Sequence, residues 1–133
     1  MATDAITLSF PPLRPFHGVA RLVVGGLAAR LDLTYEHLED LQLALASVLE
    51  REDYAASDAV TVELLVNPES VGIVIGPLNE AQVRADLAPD AGNGISLHRL
   101  LSTLVGSLEL EHRGGSAWLR LEKRVPLKRP KER

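Results

Sequence analysis

Few side chains in this 133-residue sequence could carry chemistry at neutral pH, and their spacing excludes most of it. There is no cysteine, which excludes disulfides, thiolate chemistry and cysteine metal sites, and which fits a reducing compartment such as the cytoplasm. The four histidines are His17, His37, His98 and His112. No two of them stand four apart on a helix, so a metal site would need distant pieces to converge. Glu50, Glu52 and Asp53 gather where a helix ends and read as a solvated helix end. No Walker-type phosphate loop and no Gly-x-Ser-x-Gly elbow occurs. Gly92 and Gly94 precede a helix, so their backbone amides could face a phosphate. The same two glycines are equally explained as turn residues.

The elements that would position these residues follow from periodicity. Ile6 to Phe10 alternates apolar and polar residues, as a half-buried strand does. Pro11, Pro12 and Pro15 break it. Val19, Leu22, Val23, Gly26 and Leu27 then recur at helical spacing and predict a helix to about Arg30. Thr34 is placed to cap a second helix, with Glu36 in its first turn and Leu38, Leu41, Leu45, Val48 and Leu49 as its apolar stripe, ending near Asp53. Ala59–Val66 and Val71–Ile75 are rich in β-branched residues and flank Asn67-Pro68-Glu69-Ser70, which predicts a hairpin. Asn79 to Asp90 has room for a short helix. Leu97, Leu100, Leu101, Leu104, Val105 and Leu108 give the clearest helical period, yielding to a strand near Gly106. Two alternating runs around Arg113-Gly114-Gly115-Ser116 predict a second hairpin.

This order predicts an α+β, two-layer α/β sandwich: a mixed, mostly antiparallel sheet with three helices on one face. The length fits one domain, here residues 1–125. The formal charge of −4 is uneven, because seven basic and only two acidic residues follow from Arg120 onward. An acidic body argues against general nucleic-acid binding. The basic stretch 126–133 reads as a solvated, disordered tail or a partner-binding arm. No apolar run is long enough to span a bilayer, and Met1 to Phe10 lacks the pattern of a signal peptide.

Three stretches in this order resemble one family: Asp40-Leu41-Gln42-Leu43-Ala44-Leu45-Ala46-Ser47, Gly92-Asn93-Gly94-Ile95-Ser96-Leu97, and Gly114-Gly115-Ser116-Ala117-Trp118-Leu119-Arg120-Leu121. Together they are similar to the bacterial anti-sigma-factor serine/threonine kinases, small members of the GHKL, histidine-kinase-type ATPase superfamily. The resemblance spans roughly residues 5–125. It implies a helix carrying a Glu that activates a water or hydroxyl and, four residues on, an Asn that binds magnesium, both on one helix face. Here those positions are Ser47, a poor general base, and Arg51, which has no lone pair for a metal. The family's adenine-anchoring Asp falls on Gly76 and a following glycine on Leu78. Ser116 stands where the family often has a Thr near the adenine.

The resemblance thus implies a nucleotide frame (Ser47, Arg51, Gly76, Gly92, Gly94, Ser116) whose key polar positions are replaced. No cofactor is expected, with ATP a remaining option, and no catalytic residue can be named. The leading expectation is a regulator that binds a sigma factor or a STAS-type anti-anti-sigma protein without kinase activity. The rivals are a divergent ATP-dependent serine kinase and a dimerising module of a signalling assembly. By the same resemblance a homodimer is expected, with Arg14, Phe16 and Arg21 near the partner-binding surface.

Overall fold

Alternation in three segments and β-branched runs in two give five strands among the described residues, and the prolines, caps and glycines around them set where each begins and ends. The computed structural model describes residues 4–88 and 96–125. Strand β1 (Asp4–Phe10) is followed by helices α1 (Arg14–Arg30) and α2 (Tyr35–Leu49) and a short 3-10 turn, Glu52–Tyr54. Strands β2 (Val60–Asn67) and β3 (Ser70–Leu78), helices α3 (Glu80–Leu87) and α4 (Leu97–Leu104), and strands β4 (Ser107–Arg113) and β5 (Ser116–Arg124) complete it. The expected tail 126–133 lies outside the described residues.

The sheet order is β1-β2-β3-β5-β4, and every neighbouring pair is antiparallel. The expectation of a mixed sheet is corrected. The connection through α3 and α4 does return β4 running the same way as β3, but its hairpin partner β5 inserts between them. Among the described residues there are four α-helices rather than three, because Asn79 accepts a hydrogen bond from the Gln82 amide and starts the short α3.

One face of the sheet is built from Val62, Leu64, Ile73, Ile75, Leu119 and Leu121, all buried. The helices cover that face. From α2 come Leu41, Ala44, Leu45, Val48 and Leu49, close to the stripe read from the sequence. From α4 come Leu97, Leu101 and Leu104. Thr34 caps α2 as expected, its hydroxyl accepting from the His37 amide at 3.1 Å. Gly114 and Gly115 both adopt positive φ, which the two-residue hairpin between β4 and β5 requires.

Helix α1 departs from the sequence reading twice. It begins at Arg14, before the expected start, because Pro15 sits in its first turn, where no amide is needed. Its buried face is Ala20, Val24 and Ala28. The small side chains let α1 lie close to α2, and Gln42 Nε2 donates to the Arg21 carbonyl at 3.1 Å. Val19 and Leu22, expected in the core, are instead 47% and 77% exposed. No helix among the described residues is long and apolar enough to cross a membrane.

Candidate functional site

Helix α2 ends at Leu49, with Glu50 as its C-cap, and Arg51 already has extended backbone. Ser47 and Arg51 therefore do not share a helix face, which corrects the spacing argument: four residues align two side chains only while the helix continues. The Ser47 hydroxyl donates back to the Leu43 carbonyl at 2.7 Å. Arg51 turns toward α3, where Nη1 lies 3.4 Å from Asp86 Oδ2, and its guanidinium sits 5.8 Å from the Tyr54 ring centre. Tyr54 is buried, and its hydroxyl donates to the same Asp86 oxygen at 2.6 Å. Burial first, and then this bond to Asp86, raise the Tyr54 pKa well above the usual phenol value.

Gly76 ends the regular part of β3. A Cβ placed on it would overlap Trp118 Cδ2 and come within 2.6 Å of Cγ. The indole of β5 thus occupies the space any side chain at this position would need. Arg113 lies over the same indole, 4.9 Å from the ring centre. Arg113 Nη1 donates to Glu63 Oε1 and Oε2 at 3.1 and 3.0 Å. Glu111 bridges Arg113 and Arg120 at 3.4 and 3.3 Å. These residues alternate with the buried Leu119 and Leu121, so they belong to the sheet face turned away from the helices. By the same alternation Ser116 shares that face. Gly76 and Ser116 are therefore separated by the sheet from Ser47 on α2. Gly92 and Gly94 lie outside the described residues.

Asp40, the first residue of the α2 stretch, has a structural role that the sequence did not reveal. Its carboxylate is 3.1 Å from Lys123 Nζ, which also donates to the Leu104 carbonyl at 2.9 Å. That pair ties α2, α4 and β5 together beneath the helix layer. Its only sequence signal is that Lys123 continues the inward-facing row of Leu119 and Leu121. Tyr54, Asp86 and Trp118 were also missed, because each gains its meaning from a residue far along the chain.

Of the partner-surface candidates, Arg14 and Arg21 line one open groove of about 560 Å³ between α1 and the end of α2, with His17 and Glu50. Phe16 is on a neighbouring side of α1, 37% exposed, in helical register with the exposed Val19 and Leu22. Among the described residues, no group of three or more His, Asp or Glu side chains could hold a metal ion. His112 instead contacts Glu80 Oε1 at 2.8 Å, and the bond from Arg84, followed by this one, lowers the Glu80 pKa.

Comparison with known proteins agrees with the resemblance read from the sequence. No protein-family model matches the chain. It is 26% identical over 132 residues to the serine-protein kinase RsbW of Bacillus pumilus, covering 84% of this chain and 81% of that one. It is also 26% identical over 131 residues to the serine-protein kinase RsbW of Halalkalibacterium halodurans, covering 84% and 78%. Among solved structures, the RsbU and RsbW domains of Rv1364c from Mycobacterium tuberculosis superimpose with a TM-score of 0.67 at 15% identity. That match covers 96% of this chain and 33% of the other, and it supports the α+β, histidine-kinase-type fold. The chain is thus similar in sequence to two RsbW serine-protein kinases and in fold to a structure that holds an RsbW domain.

Proposed function

We propose that this chain is an anti-sigma-factor-like regulator that acts by binding protein, with its kinase site no longer in use. The observation that carries the reading is the fate of Arg51. At the position where the resembled family has its magnesium-binding Asn, a cation faces the α3 carboxylate Asp86. A guanidinium offers no lone pair to a metal and repels it. Two further features point the same way. Ser47 replaces the acid and spends its proton on the Leu43 carbonyl. Gly76, which the resemblance aligns with the adenine-anchoring Asp, faces the other side of the sheet and has no room for a carboxylate beside Trp118.

The partner would be a sigma factor or a STAS-type anti-anti-sigma protein, as the resemblance implies. The surface would be α1, where Phe16, Val19 and Leu22 are exposed beside Arg14 and Arg21. Exposed apolar residues grouped at helical spacing commonly mark protein interfaces. A homodimer using β1 and α1, and a cytoplasmic setting, complete the proposal.

The test has two arms. Calorimetric titration with ATP, with and without magnesium, is expected to give no magnesium-dependent binding; low-micromolar, magnesium-dependent affinity overturns the loss of the kinase site. Capture of purified sigma factors and STAS proteins encoded beside this chain's gene is expected to yield one that binds. Loss of that binding in Phe16→Ala and Arg21→Ala assigns α1, and retention in both removes it. The competing reading, an active kinase, is favoured by the similarity to the two RsbW serine-protein kinases. Phosphate transfer from ATP to the captured STAS protein would establish it instead.

A further inference from the structure

Helix α3 is only eight residues long, and Val83 is its one fully buried side chain, with Leu87 packed at the margin. A helix this short is marginal in water and must be held by its surroundings. Tyr54 meets it at both ends. The Asn79 amide, at the start of α3, donates to the Tyr54 carbonyl at 2.8 Å. The Tyr54 hydroxyl reaches Asp86, in the last turn, at 2.6 Å. Next to these, Ala55 forms an antiparallel bridge with Leu78. Arg51 adds a weaker contact to the same carboxylate at 3.4 Å, on a more exposed side.

We propose that Tyr54 is a post to which both ends of α3 are tied, so that internal contacts fix α3 in place without any bound ligand. The Tyr54–Asp86 bond carries most of this latch, because it joins a neutral donor to a carboxylate at short distance and is partly shielded from water. Arg51 is the lesser member, since an exposed ion pair contributes little. The latch rests on these contacts and not on the identity of any protein partner, so it and the proposed function can fail separately.

Hydrogen exchange read by mass spectrometry on the full chain tests it. In the wild type without nucleotide, the α3 amides are expected to be protected, and magnesium-ATP is expected to leave them unchanged. Tyr54→Phe and Asp86→Ala are each expected to speed α3 exchange about 10- to 100-fold, and to speed it more than exchange of the β3 and β5 amides. The double variant should be no faster than the faster single one, because both remove the same bond. Arg51→Gln should change α3 exchange by less than either. Three results overturn the proposal: single variants within about twofold of wild type, effects that multiply in the double variant, or equal loss of protection across all strands. If the variants do not fold, the wild type decides alone. Unprotected α3 amides, or protection that appears only with magnesium-ATP, sink the latch, and ligand-free protection supports it.

Discussion

At the residue scale, Gly76 shows how a substitution that looks like lost chemistry is also a packing requirement. Trp118 fills the space beside it, so a side chain there must displace an indole that Arg113 also lies over. Gly76→Ala is therefore expected to destabilise the fold by about 1–3 kcal/mol, the usual cost of overpacking. Gly76→Asp should cost at least as much, because the carboxylate is forced against an aromatic ring. Urea unfolding measures both, and a neutral Gly76→Ala would show that the indole moves freely. Tyr54 gives a prediction in pH. Its folded pKa is raised above the unfolded value of about 10. The group thus contributes stability that is complete below about pH 10 and is lost as pH rises further. The charges facing it are Asp86 and Asp53, which oppose ionisation, and Arg51, which favours it. Tyr54→Phe is expected to be less stable than wild type at pH 7 and to lose less stability above pH 10. Denaturant midpoints taken from pH 7 to 11 check the sign. A parallel decline in both proteins would count against it.

The elements are held by caps and by a shared apolar layer. Thr34 is the N-cap of α2, which carries five buried residues and the Asp40 contact to Lys123. Thr34→Ala should cost about 0.5–2 kcal/mol, and Thr34→Gly clearly less than Thr34→Ala. Equal losses in Thr34→Ala and Thr34→Ser would mean that the hydroxyl bond to the His37 amide is not the cause. In α4, Leu101 is fully buried. Leu101→Ala should cost about 2–5 kcal/mol, the range for a core leucine, whereas Leu100→Ala, at a 37% exposed position, should cost far less. Thermal unfolding of the pair tests whether α4 faces the sheet as described. The edge strands β1 and β4 make no comparable demand, since each pairs on one side only.

For the whole molecule, the informative feature is an apolar surface left uncovered. Leu22 is 77% exposed, with Val19 and Phe16 along the same helix. Leu22→Lys is expected to leave stability within about 0.5 kcal/mol, because the site packs against nothing. If α1 forms the proposed homodimer surface, the same change should lower self-association markedly in sedimentation or light scattering. Unchanged self-association would place the dimer contact elsewhere. A large fall in stability would instead mean that Leu22 belongs to the core.

The sequence by itself determined the strands, the two hairpins, the capped α2 and the resemblance, because these rest on local periodicity, turn chemistry and residue order. Asn67, Thr34 and the Gly114–Gly115 pair act on neighbours a few residues away, and such signals survive in one dimension. The tertiary structure decided the rest. Which side of α1 is buried depended on how closely α2 approaches, and small residues won over larger apolar ones. Whether Ser47 and Arg51 stay aligned depended on where α2 stops. Gly76 met Trp118, and Tyr54 met Asp86, only because strand order and α3 bring together residues 42 and 32 positions apart. Contacts at such separation are set by the packing of whole elements, which no local pattern encodes.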